Sequence, residues 1–334
     1  MEAWEAAKNA LECVLGAKKG ESLVIFCDHE KLEIGNAFAA GALRLGLQAR
    51  LMDLKPETKA FRKDVSPELL EILTKHPPDI YINLLRGVRE ETPFRIRLIK
   101  LETKDHRARL GHCPGVTIDM LTKGALALKA EEHKKMQGFA SDLIKNLSHA
   151  EKLEITNPAG TKLFLSASGR LFFTDTIINW ETLKWMNLPT GEVILAPVED
   201  SLEGVMVCDM AIGGIGPLKT TVTLTIRKGK VQDSSSGDKQ VLKRVRDSLN
   251  TDETSGTVGE FAFGINSKAR FVEEFLEAEK VLGTIHIAFG DNSDMPGGKN
   301  PSKNHMDLLM SKPTVKVTNK DGSTFKTLVD GIFQ

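Results

Sequence analysis

Cysteine is scarce in this sequence of 334 residues, and its scarcity narrows the possible classes of fold. The four cysteines, Cys13, Cys27, Cys113 and Cys208, are scattered, and no two of them form a CxxC pair. A disulfide-rich fold needs a dense framework of cysteines, and a thiolate zinc site needs paired ones. The sequence therefore argues against both.

Net charge is also absent, because 45 lysines and arginines balance 45 aspartates and glutamates. This balance excludes a protein that binds nucleic acid through bulk positive charge. No run of about 18 apolar residues is present to cross a membrane. The N-terminus has neither the apolar run nor the small-residue cleavage site of a signal peptide. We therefore expect a cytoplasmic protein with no nucleic-acid partner and no membrane partner.

Length and patterning predict two domains, residues 1–150 and 151–334. In the first domain, short apolar runs typical of strands buried on both faces alternate with segments of helical spacing. Strands are predicted at residues 22–27, 48–54 and 79–84, and helices at residues 34–45 and 67–74. This βαβα order predicts an N-terminal α/β domain with a mostly parallel sheet.

The second domain is predicted to be β-rich, in an α+β arrangement. Short segments of alternating polarity, each bounded by turn residues, indicate antiparallel strands. They include residues 162–166, 220–227 and 314–318. A few helices are expected among them, at residues 238–249 and 271–279.

Histidine is uncommon, with eight residues, and two of them have unusual surroundings. His286 lies inside the apolar run VLGTIHIAFG, where an imidazole needs a polar partner. A hydrogen bond to a backbone carbonyl would satisfy it, and so would a metal ion. In the segment NHMD, an extended backbone would place His305 and Asp307 on one face. An imidazole beside a carboxylate suits a divalent metal, although a plain His–Asp hydrogen bond produces the same pattern.

Two glutamates extend this set of possible ligands. Glu192 and Glu260 each stand alone at the edge of an otherwise apolar strand, where an acid is either solvated or held by a partner or metal. Together with His286, His305 and Asp307 they supply enough donors for two divalent ions that share a bridging carboxylate. Oxygen and nitrogen donors without thiolate admit zinc, cobalt, manganese, magnesium or iron.

Four segments in order, NLPTGEV, VGE, GTIHIAFG and NHMD, resemble the metal-binding segments of the thermophilic aminopeptidase family, the M29 or aminopeptidase T type. The resemblance implies that Glu192 binds one metal ion and that Glu260 bridges two. It also implies that His286, His305 and Asp307 complete the coordination shells of these ions. It further implies a β-rich C-terminal metal-binding domain, a homodimer and a two-metal aminopeptidase acting on a peptide or small-molecule substrate. Glu192 or Glu260 would then serve as catalytic carboxylates.

One departure from the family concerns tyrosine. The family has a tyrosine a few residues after the histidine that matches His286, whereas Asp291, Asn292, Ser293 and Asp294 stand there in this chain. The only tyrosine, Tyr81, is distant in the sequence.

A second resemblance, to an iron-dependent dioxygenase that opens dihydroxypyridine rings, keeps an alternative open. In that enzyme two histidines and one carboxylate hold Fe(II), which His286, His305 and Asp307 match. A histidine from its N-terminal domain lies near the substrate, and His112 is the candidate here, as a catalytic base with Arg109 as an anion anchor. A third possibility is a protein in which all these residues are only structural.

Overall fold

A computed structural model describes residues 1–55, 61–104, 108–179, 183 and 185–334. The chain divides into two compact units. Unit 1 consists of Met1–Gln137 and Asp175–Thr190, and unit 2 of Gly138–Thr174 and Gly191–Gln334. Each unit is built from two stretches of chain, whereas each predicted domain, 1–150 or 151–334, is a single stretch.

Over these residues the chain forms the following helices and strands. The helices are α1 (Ala3–Asn9, continuing as a π-helical turn, Ala10–Val14), α2 (Leu32–Leu45), α3 (Pro67–Lys75), α4 (Thr92–Glu102), α5 (Ile118–Thr122), α6 (Ala130–Leu147), α7 (Lys239–Leu249) and α8 (Phe275–Ala278). The strands are β1 (Ser22–Asp28), β2 (Gln48–Leu54), β3 (Ile80–Leu84), β4 (Arg109–His112), β5 (Ala150–Thr156), β6 (Lys162–Ser166), β7 (Phe172–Thr174), β8 (Trp185–Asn187), β9 (Glu192–Leu195), β10 (Glu203–Cys208), β11 (Ala211–Ile212), β12 (Gly216–Pro217), β13 (Val222–Arg227), β14 (Lys230–Ser236), β15 (Val258–Gly264), β16 (Ile285–Gly290), β17 (His305–Met310), β18 (Thr314–Asn319), β19 (Thr324–Val329) and β20 (Ile332–Phe333).

Unit 1 is built on a five-stranded parallel sheet in the order β2-β1-β3-β4-β8. Alternate residues of β1 enter two separate cores. Leu23 and Ile25 pack with residues of α1 and α2, whereas Val24 and Phe26 pack with residues of α3 and α4. Because helices cover both faces, the strand has no polar face, which explains the continuous apolar run SLVIFC. The predicted parallel α/β arrangement is confirmed.

Unit 2 contains two antiparallel sheets. One has eight strands in the order β14-β13-β10-β6-β5-β18-β19-β20, and the other has seven in the order β12-β11-β17-β16-β15-β9-β7. The predicted β-rich second half, and with it the mixed α/β fold class, is confirmed. In the described part of the chain no helix is both long and apolar enough to cross a bilayer.

Candidate metal centre

The central strands of the seven-stranded sheet bring four of the predicted ligands to one face. Glu260 on β15 lies opposite Ala288 on β16, and Ala288 lies opposite Asp307 on β17. Side chains two residues apart on a strand share a face, so His286 and His305 lie on the same side as this row. The small Ala288 between the two carboxylates leaves room for them to converge.

Glu192 reaches the same face from the first position of β9, opposite Gly264 of β15. A Cβ atom on Gly264 would lie 2.2 Å from the carbonyl oxygen of Val281 and 2.9 Å from that of Glu279. The glycine therefore permits the segment that carries Glu279 and Lys280 to pass close to the sheet beside Glu192.

All five predicted ligands meet in one cluster. The Nε2 atom of His286 lies 3.3 Å from Oε1 of Glu260 and 3.5 Å from Oε1 of Glu192. It also lies 3.9 Å from Oδ1 of Asp307. The Nε2 atom of His305 lies 3.2 Å from Oε2 of Glu260 and 3.3 Å from Oδ1 of Asp307. Glu260 is therefore the carboxylate that lies within 3.3 Å of both imidazoles.

The cluster is buried on one side and open on the other. Glu192, Glu260 and His286 are at most 5% exposed, whereas the side chain of His305 is 35% exposed and that of Asp307 is 17% exposed. The Nδ1–H group of His305 donates to the carbonyl oxygen of Asp291 over 2.8 Å, which directs the Nε2 lone pair of the neutral ring toward the carboxylates. A ligand can therefore approach from the side of His305 and Asp307.

The electrostatics of the cluster favour a bound cation. Burial lowers the pKa of His286, but the carboxylates of Glu192, Glu260 and Asp307 outweigh it and raise that pKa to about 10. The pKa of His305 is likewise raised against burial, by Asp307 and Glu260. Burial raises the pKa of Glu260, yet its bonds to the two imidazoles hold that pKa well below its usual range. Positive charge is thus strongly stabilised at both rings.

Sequence reasoning missed two further members of the site, Glu279 and Lys280, which are 7% and 2% exposed. The Nζ atom of Lys280 contacts Oε2 of Glu192 and lies 2.8 Å from Oε1 of Glu279. Glu192, Glu279 and His286 can also bring one ligand atom each within 4.8 Å of one another. The sequence feature that could have pointed to these two residues is the adjacent acid and base, Glu279 and Lys280, shortly before the apolar strand that carries His286.

A family model for thermophilic metalloproteases, designated M29, matches residues 128–333, a stretch that contains the whole cluster. The chain belongs to the M29 thermophilic metalloprotease family. Membership implies a metal-dependent peptidase, and divalent metals are the cofactors that this family uses. No sequence among the curated proteins matches the chain significantly.

Two solved structures share the fold of this M29 chain. Wild-type AmpT from Thermus thermophilus is 17% identical, with a TM-score of 0.70 over 99% of this chain and 98% of that one. The 2,5-dihydroxypyridine dioxygenase from Pseudomonas putida KT2440 is also 17% identical, with a TM-score of 0.73 over 100% of this chain and 97% of that one. At this identity the two likenesses establish the fold alone.

The donor set of this M29 member fits a divalent ion. Ligand atoms about 2.1 Å from a tetrahedral ion are about 3.4 Å apart. The contacts of Glu260 with the two imidazoles, and of His305 with Asp307, span 3.2 to 3.3 Å. The ligands are nitrogen and carboxylate oxygen, which suit zinc, cobalt, manganese or iron. Which metal binds, and through which of these residues, stays a prediction.

The segment after His286, where the resemblance to the family predicts a tyrosine, is used structurally. The buried side-chain amide of Asn292 donates to the carbonyl oxygen of Gly259 over 3.2 Å, and its Oδ1 accepts from the backbone N–H of Asn300 over 2.8 Å. Asp291 contributes its carbonyl oxygen to His305. No phenol hydroxyl stands among residues 291–294.

His112 and Arg109 both lie on β4 in unit 1. His112 is 4% exposed, packs edge-to-face against Trp185 at 6.0 Å between ring centroids, and has its pKa lowered by burial to about 3. Arg109 pairs with Glu21 at 2.7 Å and donates to the carbonyl oxygen of Gly16 at 2.8 Å. Its guanidinium is thus already engaged by the protein. The catalytic role of His112 stays a prediction.

Proposed function

We propose that this M29 family member is an aminopeptidase that removes N-terminal residues from peptides with the help of a divalent metal. The observation that carries the proposal is the convergence of two imidazoles and three carboxylates on one face of the seven-stranded sheet. Membership of the family supports peptide hydrolysis, and the fold shared with AmpT supports it further.

Each side chain is given a role in this proposal. Glu260, His286 and Asp307 hold the ion, because each can bring one ligand atom within 4.8 Å of the other two, and His305, 3.2 Å from Glu260 and 3.3 Å from Asp307, completes the set. A divalent ion at such a site polarises a carbonyl group and lowers the pKa of bound water.

Glu192 is proposed as the group that takes up the proton during hydrolysis. Its Oε2 is held by Lys280, so Oε1 is the oxygen that faces His286 and the interior of the cluster. A carboxylate fixed in this way can accept a proton at one defined position. The substrate would enter on the side of His305 and Asp307, where the cluster is exposed.

The test is hydrolysis of amino-acyl p-nitroanilides and short peptides by metal-loaded protein. We expect release of the N-terminal residue, loss of activity with a chelator, and recovery on adding metal. Glu192→Gln should keep bound metal and lose turnover, whereas Glu151→Gln, a substitution in a partly exposed residue of β5, should keep both. Metal-loaded protein that cleaves none of these substrates would contradict the proposal.

A second candidate function is an Fe(II) dioxygenase that opens a hydroxylated N-heterocyclic ring. Two features favour it: residues 291–294 lack the tyrosine that the resemblance predicts after His286, and the pair of histidines with Asp307 forms a triad typical of non-haem iron oxygenases. The fold shared with the 2,5-dihydroxypyridine dioxygenase is compatible with it. His112 would be the base. Anaerobic loading with Fe(II), followed by oxygen uptake with 2,5-dihydroxypyridine, tests it. No uptake would reject it.

A further inference from the structure

Lys280 is a charged residue in an exceptional position. Its side chain is only 2% exposed, and its ammonium group contacts the two buried carboxylates of Glu192 and Glu279. Lysine is almost never fully buried unless it is paired, because removing its charge from water is costly. These three residues are called the lysine cluster below. A buried ammonium between carboxylates occupies the kind of position that a metal ion otherwise takes.

The lysine cluster and the metal ligands share one imidazole. Glu192 and Glu279 form a possible ligand group with His286, and Glu260 and Asp307 form another with the same residue. The Nε2 atom of His286 faces both groups, at 3.5 Å from Glu192 and 3.3 Å from Glu260. One imidazole nitrogen has one lone pair and can coordinate one ion. That nitrogen therefore cannot be a ligand in both groups at the same time.

The surrounding charges decide which group takes the ion. On the side of Glu260 and Asp307, the ionic partners within the part of the chain that the structure describes are the imidazoles of His286 and His305. On the side of Glu192 and Glu279, the ammonium of Lys280 already supplies a positive charge at hydrogen-bond distance. A second divalent ion there would lie close to a buried ammonium, and like charges at short range in a poorly solvated site repel strongly.

We propose that the ammonium of Lys280 takes the place of a second metal ion, so that the centre holds one divalent ion rather than two. This inference rests on the proposed metal centre. One ion and one ammonium leave the four carboxylates of Glu192, Glu260, Glu279 and Asp307 with one net negative charge. Glu192 then remains a carboxylate outside the coordination shell, as its proposed role in proton transfer requires.

The experiment counts ions per chain. Apo protein is titrated with Zn²⁺ and, separately, Co²⁺ by calorimetry, and the desalted product is analysed by elemental mass spectrometry. Wild-type protein should bind one ion. Lys280→Met keeps most of the apolar stem and removes the charge, so the carboxylates of Glu192 and Glu279 become available to a second ion while His286 stays with the first, and the count should rise to two. Lys316→Met removes a lysine paired with Glu154 away from the cluster and should leave one ion.

Two ions in wild-type protein would overturn the inference, and so would a single ion in Lys280→Met. If Lys280→Met does not fold, the ion count is measured on Glu192→Gln instead. Because Glu192 is not a ligand in this inference, that variant should still bind one ion per chain. Loss of that ion would also overturn the inference. The ion count is independent of turnover, so two ions with peptide hydrolysis would refute the role of Lys280 and leave the aminopeptidase proposal standing.

Discussion

Acidification is expected to destabilise the protein through His133, a residue of α6 that is 1% exposed. Within the described part of the chain neither of its ring nitrogens has a hydrogen-bond partner, and burial lowers its pKa from 6.5 to about 4. The folded state therefore keeps the ring neutral, whereas the unfolded state binds a proton below pH 6.5. The stability from this residue is complete above pH 6.5 and is lost as the pH falls toward 4.

The size of the effect follows from the two pKa values. Proton linkage gives a loss of about 2.5 kcal/mol in the free energy of unfolding between pH 8 and pH 4.5. His133→Leu removes the titration and breaks no hydrogen bond. We therefore expect it to lie within about 1 kcal/mol of wild type at pH 8. At pH 4.5 it should be more stable than wild type by about 2.5 kcal/mol.

Urea denaturation at both pH values, with a chelator present, measures this difference. His149→Gln alters an exposed histidine and serves as the control. It should follow the pH dependence of wild type. Equal pH dependence for wild type and His133→Leu would refute the reasoning, because it would mean that the ring binds protons equally in the folded and unfolded states.

Three further outcomes are expected. Glu260→Gln should weaken divalent-ion binding by more than the roughly 10–100-fold typical of outer-shell partners; unchanged affinity in a competition assay would contradict its place as a ligand. Arg62→Ala leaves the buried carboxylate of Asp28 without its guanidinium, removes one of the two guanidinium partners of Glu91, and should cost about 3 kcal/mol by chemical denaturation. Arg97→Ala, which breaks an exposed pair, should cost less than about 1 kcal/mol, and equal costs would count against the reasoning. A chelator should lower the melting temperature, since an ion at 100 times its Kd adds about 2.7 kcal/mol, and an unchanged melting temperature would be inconsistent with a structured ion site.

The sequence predicted the elements whose pattern is local. The predicted strand at residues 48–54 is Gln48–Leu54, and the one at 22–27 is Ser22–Asp28. Strand β1 could be recognised because burial on both faces leaves a continuous apolar run, whereas the edge strand β2 alternates exposed residues with apolar ones. Strand β8, with three residues, was not predicted, because its extended conformation depends on pairing with β4, which lies more than 70 residues earlier in the chain.

The same distinction applies to the site. The alternation of strand side chains was sufficient to place His305 and Asp307 on one face and to select His286 from an apolar run. The burial of Glu279 and Lys280 could not be predicted from the local sequence. It depends on Gly264, where the absence of a side chain lets a distant segment approach the sheet. Lysine next to glutamate ordinarily indicates a solvated surface, so residue type alone pointed away from the interior.

The return of residues 175–190 to unit 1 has a consequence for how the protein can be divided and synthesised. A fragment ending at residue 150 would lack β8 and would leave β4 as an unpaired, aggregation-prone sheet edge. During translation the parallel sheet cannot be completed until Trp185–Asn187 has left the ribosome, only a few residues before Glu192. Limited proteolysis at a single peptide bond would therefore yield no pair of intact halves.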